Sequence, residues 1–501
     1  MIRSRILWRV DAIVPLMGAL LLAACAVGPR YVPPQVPVPP AYKEQPSVDG
    51  DLLQPAEARD QVSREGWWEL FGDARLNDLE AQLMRANPAL AESEARFRQA
   101  RALVRQNRAG YFPVMTNTTS ITRTLPGANA RANGPGGTLT EYNLGAGVSW
   151  EADLWGRVRQ SVASGTASAQ AAAGDLESAR LSLSAELAVD YFQLLSFDAE
   201  LELFERTIDA YDRAATLTRN QYDAGIVSRG DVEQANTQLA SARAQAIDVR
   251  LQRAQLEHAI AVLMGQPPVS VSLAPVPLAG RPPLVPPGLP SRMLERRPDV
   301  AAAERRVAAA NAQIGIASAA FFPAITLDGA GGFQATQLQQ WLSWPMRFWS
   351  VGPALALTLF DGGARRAAKA GAVASYDETA SAYRQTVLAA FQDVEDNLAA
   401  ERLLGDEAER QQAAVAAAQR AVDISLNQYR AGTVSYLQVA VQQTALLTNQ
   451  RAALSVTVRQ FVAAVELVRA LGGGWNRNVL DATAPKKSPV EVASQGDGRH
   501  P

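Results

Sequence analysis

Two long helical runs constrain the fold of this chain more than any other feature. From Gly156 to Ala224 there are 69 residues without proline, and the two internal glycines, Gly165 and Gly174, fall near the start. Alanine, leucine, glutamate and arginine dominate the run, as strong helix formers do. At about 1.5 Å per residue, such a helix is roughly 100 Å long. A single compact domain does not need a helix of that length, so we expect an elongated molecule that spans something.

The apolar residues of this run have the spacing of a coiled coil. They step by three and four residues in alternation, which is narrower than the apolar stripe of an ordinary surface helix. The residues of this seam are Leu194, Phe197, Leu201, Phe204, Ile208, Tyr211 and Ala215.

The run occurs twice. A second proline-free stretch of 69 residues extends from Gly363 to Ala431, and residues 428–435 repeat the sequence of residues 221–228 at an offset of 207. Upstream, two further landmarks recur at an offset of 210: Asn87-Pro88 with Arg297-Pro298, and Tyr111-Phe112-Pro113 with Phe321-Phe322-Pro323. Four landmarks in constant order indicate an internal duplication.

The duplication predicts the domain boundaries. The first repeat covers residues 61–265, with a helical hairpin whose tip is near residues 225–231. The second repeat covers residues 291–471, with its tip near residues 432–438. A proline-rich linker, residues 266–290, joins the repeats, and we expect residues 472–501 to form a partly disordered tail.

The amino terminus reads as an export signal. Three arginines precede an apolar run that ends in Leu22-Ala23-Ala24-Cys25. This is the pattern of a secretory signal peptide, and a cysteine after two small residues resembles the lipobox of bacterial lipoproteins. The resemblance implies that residues 1–24 are removed, that Cys25 carries lipid, and that residues 25–60 form a proline-rich tether. In such lipoproteins an aspartate after the cysteine commonly retains the protein at the inner membrane. Residue 26 is alanine here, so we expect the outer membrane as the location. The alternative is an ordinary signal peptide with a buried thiol.

In two segments of the first repeat, the spacing of apolar residues changes from that of a helix to the two-residue alternation of a β-strand. Residues 140–151 alternate apolar with small or polar side chains, and residues 114–124 are the expected partner in a hairpin spanning residues 114–151. The second repeat has a matching hairpin, residues 324–360, with strands from Ala324 to Phe333 and from Trp349 to Phe360. Strands of this length match a tilted membrane crossing. A soluble β-sandwich is the alternative.

Closure of such a sheet requires more than one chain. In lipid, an open sheet edge leaves backbone groups unpaired at several kcal/mol each. Four strands cannot close, because the smallest membrane barrels have about eight. The sequence therefore predicts an oligomer and leaves its number open, since two chains would also supply enough strands.

Composition excludes several classes of function. The chain has 48 basic and 50 acidic residues, so charge gives no reason to expect a nucleic-acid partner. Two histidines and one cysteine leave almost no material for a zinc site or a histidine-based triad. Glu186 and Asp190 are four residues apart on the first long helix, but charged helix faces are usually solvated. With no nucleophile–base set, we expect neither an enzyme nor a cofactor.

Several ordered motifs resemble a known family. They are Trp67-Trp68-x-x-Phe71-Gly72-Asp73, Asn87-Pro88-x-Leu90, Asp153-Leu154-Trp155-Gly156, Leu359-Phe360-Asp361-Gly362-Gly363 and Ala224-Gly225-x-x-Ser228-x-x-Asp231-Val232. Together with Phe112-Pro113 and Phe322-Pro323, they resemble the outer-membrane efflux factors of the TolC/OprM family, and more closely its NodT-type lipoproteins. The resemblance covers about residues 60–475.

The resemblance implies a mainly helical fold with a membrane β-barrel. Long coiled-coil hairpins would form a periplasmic α-barrel, and each chain would supply four strands of a shared transmembrane β-barrel, twelve in a trimer. The homotrimer would be a passive outer-membrane conduit for drugs or other small solutes. Its implied partners are outer-membrane lipid, a periplasmic adaptor and an inner-membrane RND-type transporter. The residues expected to contact the adaptor are the tip positions Gly225, Val227, Ser228, Gly432, Val434 and Ser435.

The gate departs from the pattern of the family. Many members carry aspartates that ring the closed pore, whereas the matching positions here are Gln438 and Val441, and Leu437 stands where a constricting residue is expected. Our hypothesis is a closed ring that is more apolar than acidic. A second hypothesis is that Tyr429, Arg430 and Asp223 latch neighbouring helix pairs in the closed state; otherwise they are exposed and solvated.

Two other functions compete with the channel. A lipid-anchored periplasmic adaptor or coiled-coil scaffold would normally have one helical hairpin between β-rich halves, whereas this chain has two hairpins and two strand pairs. A lipoprotein enzyme would need a catalytic constellation that the sequence does not contain.

Overall fold

The computed structural model describes residues 27–44, 66–125, 138–286 and 290–477. These residues fall into two compact units. The first unit combines residues 27–35 with Phe97–Ala172 and Ala302–Tyr383. The second combines the described parts of Val36–Arg96 and Ala173–Ala301 with residues 384–477. The predicted signal peptide, Cys25 and most of the predicted tail lie outside the described residues.

The helices dominate both units. In chain order they are α1 (Ala74–Ala86), α2 (Pro88–Ala109), α3 (Arg157–Asp223), α4 (Arg229–Leu263), α5 (Pro290–Arg296), α6 (Pro298–Ala319), α7 (Ala364–Arg430) and α8 (Tyr436–Ala470). Within the described part of the chain, no helix is both long and apolar enough to cross a membrane.

Equal helix lengths confirm the internal repeat. α2 and α6 each have 22 residues, α3 and α7 each have 67, and α4 and α8 each have 35. The two predicted 69-residue runs are helical except for one residue at each end. Gly156 and Gly363, just before α3 and α7, have φ angles of 80° and 94°, in the left-handed region that favours glycine.

The four strands form one antiparallel sheet. They are β1 (Val114–Thr124), β2 (Leu139–Glu151), β3 (Ala324–Ala335) and β4 (Arg347–Ala356), and they lie in that order across the sheet. Both predicted hairpins are confirmed, and β2 also pairs with β3, so the two repeats share a single sheet. Its edges, in the part of the chain that is described, are β1 and β4.

Two strands of the second repeat differ from their predicted bounds, and the first of them, β3, was expected to end at Phe333 but extends to Ala335. We expected the last strand to run from Trp349 to Phe360, but β4 starts two residues earlier and ends at Ala356. Ala356 pairs with Ala324, the first residue of β3. Pro323, directly before Ala324, is not part of the strand. Residues 357–360 therefore pair with no strand among the described residues.

The predicted tether is extended but packs against the chain. In the first unit, the Val27 amide donates to the Trp155 carbonyl (3.1 Å), and the Asn311 side chain donates to the Pro29 carbonyl (3.0 Å). In the second unit, Tyr42 is buried, and the amide of Lys43 donates to a carboxylate oxygen of Glu395 (2.8 Å). Residues 27–44 are thus part of the folded body rather than a free linker.

An aromatic core organises the second unit. Trp67 contacts Phe71, Phe71 contacts Phe192, and Phe192 contacts Phe461, with ring centroids 4.8–6.3 Å apart. Asp73 follows this motif and caps α1, because its carboxylate accepts hydrogen bonds from the amides of Arg75 and Leu76. The Tyr191 hydroxyl donates to the other oxygen of Asp73 at 2.8 Å. The tryptophan motif therefore has a packing role and a capping role.

Glu80 is an uncompensated carboxyl group in this core. The residue is fully buried on α1, and neither of its carboxyl oxygens has a hydrogen-bond partner of normal geometry in the described residues. Burial raises the pKa of Glu80 well above its usual value, and the nearby Ser184 hydroxyl opposes this shift only weakly. The folded protein therefore favours the protonated form of Glu80 more than the unfolded chain does.

This shift predicts a pH-dependent effect of Glu80→Gln. The folded protein holds the proton of Glu80 more tightly than the unfolded chain, so stability falls as pH rises above the unfolded pKa of about 4.5, by roughly 1.4 kcal/mol per pH unit until the folded pKa is reached. We expect Glu80→Gln to raise the thermal unfolding midpoint at pH 7 by more than at pH 5. The exposed Glu94→Gln is the control. Equal effects of Glu80→Gln at the two pH values would contradict a raised pKa of Glu80.

Candidate functional site

The sheet of the first unit has two chemically different faces. Strand register places Met115, Val148, Gly329 and Val351 in one row, and Asn117, Ala146, Gly331 and Trp349 in the next row on the same side. We call this side the apolar face. Its large apolar residues are Met115, Ile121, Tyr142, Leu144, Val148, Trp150, Ile325, Leu327, Phe333, Trp349, Val351 and Leu355.

Much of the apolar face is exposed in the part of the chain that the structure describes. Met115 is 75% exposed, Trp349 is 77% exposed and Val351 is 68% exposed. A contiguous exposed apolar surface of this kind marks contact with a membrane or another protein.

The opposite side, the polar face, carries mainly small and polar side chains, with Val114, Leu139 and Phe348 as apolar exceptions. Its rows include Thr116, Gly147, Ala330 and Ser350. Asp328 accepts hydrogen bonds on this face from the hydroxyls of Ser149 (2.6 Å) and Thr326 (2.8 Å). A sheet that is apolar on one side and polar on the other suits an environment with lipid on one side and water on the other.

The second unit contains the two predicted hairpin tips. At the first tip, Gly225 has a φ angle of 74°, and its amide donates to the Tyr222 carbonyl (2.8 Å). The Ile226 amide donates to the Gln221 carbonyl (2.8 Å), which completes a Schellman-type end to α3. The capping box of Ser228 and Asp231 then starts α4.

The second tip repeats the turn but not the cap. Gly432 has a φ angle of 73°, and the amides of Gly432 and Thr433 donate to the carbonyls of Tyr429 (2.9 Å) and Gln428 (3.0 Å). Ser435 precedes α8 without a side-chain capping hydrogen bond. Position 438, which corresponds to Asp231, is glutamine, so the acidic half of the capping box is missing.

A small core joins the two hairpins at their tips. Tyr436 is fully buried, Tyr429 is 3% exposed, and their rings meet edge to face at 5.6 Å. The Thr218 hydroxyl donates to the Ala214 carbonyl (2.9 Å), so it accepts a hydrogen bond from the Tyr429 hydroxyl 3.0 Å away. Burial raises the pKa of Tyr429 and raises that of Tyr436 to about 12, so both hydroxyls stay protonated at neutral pH. Tyr429 is thus a buried contact between hairpins of one chain, not an exposed side chain.

The structure separates the predicted tip residues into two groups. Gly225, Ser228, Gly432 and Ser435 are exposed. Val227 and Val434 are half-buried and pack against the tip core. Sequence reasoning missed Ile226, which is 67% exposed. Its position directly after the glycine of the turn was the available indication, since the equivalent residue of the second tip is the polar Thr433.

The predicted gate residues lie on one exposed face of α8. Leu437 is 57% exposed and Val441 is 53% exposed, and Gln438 lies beside them. The opposite face of the helix is buried through Tyr436, Val439 and Ala440. Arg430 and Asp223 are also exposed. The gate face is therefore apolar with one amide and no acidic side chain.

Comparison with known proteins identifies the family. The family model described as "Outer membrane efflux protein" matches residues 80–266 and 289–473. The chain belongs to the outer membrane efflux protein family. The two matched segments correspond to the two halves of the internal repeat, and the family is one of channel-type efflux proteins rather than of enzymes.

Named relatives of this outer membrane efflux protein are pump components. Two proteins of Pseudomonas putida, the antibiotic efflux pump outer membrane protein ArpC and the toluene efflux pump outer membrane protein TtgC, are each 31% identical over 460 residues. Each alignment covers 91% of this chain and 94% of the relative. The solved outer-membrane channel OprN is 31% identical with a TM-score of 0.81, and the match covers 90% of this chain and all of that one.

These comparisons decide between the competing functions. The family model, the named relatives and the solved channel are all outer-membrane efflux proteins, which supports the channel over the adaptor. The chain is an outer-membrane efflux channel protein with a mainly helical fold, and its described residues include four strands.

Proposed function

We propose that the protein is one of three identical subunits of a passive conduit that carries drugs or other small solutes across the outer membrane. The observation that carries this proposal is a sheet whose two edges pair with no other described strand and whose apolar face is largely exposed. Three chains that join β4 to β1 would contribute twelve strands, more than the minimum of about eight for a membrane barrel. The polar face would then line the pore, because the apolar face must meet lipid.

The proposed assembly has a periplasmic adaptor and an inner-membrane RND-type transporter as its partners. An open conduit performs no bond chemistry, so energy for export would come from the transporter. Lipid on Cys25 would anchor each chain to the outer membrane. The relatives named for antibiotic and toluene efflux support small, largely apolar solutes as the cargo class.

The tips are the proposed adaptor contacts. Gly225, Ser228, Gly432 and Ser435 offer backbone and hydroxyl groups to an incoming hairpin, while Val227 and Val434 would hold the shape of the tips. Ile226 would add an apolar anchor to the first tip. Burial of this exposed side chain against the adaptor would remove its apolar surface from water, which favours binding.

The gate and latch proposals concern the same end of the hairpins. Leu437, Gln438 and Val441 of three subunits would form a ring that is apolar and amide-lined. Tyr429 would hold the two hairpins of one chain together through Thr218. The exposed Arg430 and Asp223 would remain for contacts between subunits.

Planar-bilayer recording of the purified protein tests the channel and its gate. We expect stepwise single-channel currents with weak block by multivalent cations, because the apolar ring presents no carboxylates. Val441→Asp should introduce three carboxylates at the ring and produce strong block at micromolar cation concentration. Thr448→Asp, further along α8, is the control.

Two results would contradict these assignments. Folded protein without channel current would contradict the conduit. Strong micromolar cation block of the unmodified channel would contradict the apolar ring while leaving the conduit in place.

The role of Ile226 is tested by Ile226→Asp. Placing a charge in an apolar contact should weaken binding of the adaptor roughly tenfold or more, measured with the purified adaptor on immobilised channel, and should lower export in cells. Ile247→Asp is the matched control, since Ile247 is exposed to a similar extent on α4 (64%). If both variants bind the adaptor equally well, Ile226 is not an anchor.

A further inference from the structure

The connection between β3 and β4 is an ordered turn that presents apolar side chains. It contains two short 3₁₀ turns, Leu338–Gln340 and Trp344–Met346. The Ser343 hydroxyl and amide both donate to the Gln340 carbonyl (2.6 and 3.0 Å), which fixes the segment between the turns. Three large side chains are nevertheless exposed: Leu338 (60%), Leu342 (64%) and Trp344 (72%). We call residues 338–346 the apolar turn.

The apolar turn folds over the apolar face rather than the polar face. The ring of Trp341 lies 5.5 Å from the ring of Tyr142, which is on the apolar face. Ala335, in the same row as Tyr142, is buried. The exposed side chains of the turn therefore extend the apolar surface of the sheet past the end of β3.

Arg347 stands where the turn meets the sheet. It is the first residue of β4, pairs with Phe333 and belongs to the apolar face. Its guanidinium lies 4.2 Å from the centre of the Trp344 ring and its side chain donates to the Trp344 carbonyl (3.5 Å). In the described residues no carboxylate lies within 4 Å of Arg347. A guanidinium stacked on an aromatic ring is held in one orientation, and its outer N–H groups remain available for an anion.

The distribution of charge on the apolar face is one-sided. Its charged residues within the four strands are Arg123 and Arg347, and both are basic. Both also lie toward the end of the sheet that carries the apolar turn, away from the ends that lead into the helices. Among the described residues, neither arginine forms an ion pair, and Arg347 also lies beside the exposed Trp344. Basic side chains at the end of an apolar surface match the boundary between hydrocarbon and anionic headgroups.

We propose that Arg347 and Trp344 bind the phosphate group of an outer-leaflet glycolipid, the chemical class to which lipid A belongs. The proposal rests on the proposed function, in which the apolar face meets lipid and the turn end of the sheet faces outward. The guanidinium donates to phosphate oxygens, a geometry that arginine forms in bidentate fashion. The acyl chains of the same molecule lie along the apolar face on the side of Arg347 away from the turn, over Trp349 and Val351. A free phosphate ion has no apolar groups, so it would not account for these apolar contacts.

Native mass spectrometry of the full-length protein with diphosphoryl lipid A tests the proposal. We expect bound lipid A on the wild-type protein, about tenfold weaker retention by Arg347→Gln, and partial retention by Arg347→Lys, which keeps the charge without the planar fork. Removing the phosphates from lipid A should weaken its binding to the wild-type protein as much as Arg347→Gln weakens the binding of diphosphoryl lipid A, because each change removes one partner of the same contact. Arg101→Gln is the matched control, because Arg101 also stacks on an aromatic ring, that of Phe97 (5.7 Å), but on helix α2.

Three outcomes would overturn the proposal. The first is equal retention of lipid A by the wild type and Arg347→Gln. The second is equal retention of lipid A with and without phosphate. The third is loss of the oligomer in Arg347→Gln, which would make this arginine a contact between copies of the chain. Channel current recorded from the same preparations separates these outcomes from failure of the proposed function, because the current should persist in Arg347→Gln.

Discussion

A strand in a lipid bilayer must pair its backbone N–H and C=O groups with another strand, because hydrocarbon offers no hydrogen bonds. This constraint connects the main features of the first unit. The described residues form one four-stranded sheet with two free edges and a largely exposed apolar face, which is unstable as a separate object in either water or lipid. In the proposed trimer, pairing of β4 with β1 of another copy would remove the edges and enclose the polar face, and lipid would cover the apolar face.

Duplication explains how one chain builds this arrangement. Each repeat contributes a hairpin of strands and a hairpin of long helices, and the β2–β3 pairing joins the two strand hairpins into one sheet. The helical hairpins turn at Gly225 and Gly432, where the left-handed backbone ends one helix before the next begins. Buried tyrosines then join the two helical hairpins at their tips. The two turns are alike in geometry and differ in chemistry, because Ile226 is apolar and Thr433 is not.

Local pattern predicted the helices and hairpins well, and tertiary contacts account for the differences. The proline-free runs and their glycines located α3 and α7 to within one residue, since propensity and turn chemistry agree there. The end of β4 was predicted too late because it depends on where β3 begins, at Ala324, and not on the apolar residues that follow Ala356. Burial of Tyr429 was missed for the same kind of reason, because its partner Thr218 is 211 residues away. Exposure of Ile226 likewise follows from the packing of the tip.

The central claim is that three chains share one barrel. Its most direct test is the detergent-corrected mass of the protein extracted from outer membranes, measured for the wild type and for Cys25→Ser. We expect a trimer in both samples, with bound acyl groups lost in the variant, because strand pairing rather than the lipid would hold the subunits together. A monomer in native-like lipid would contradict it, since four strands alone cannot close in a membrane.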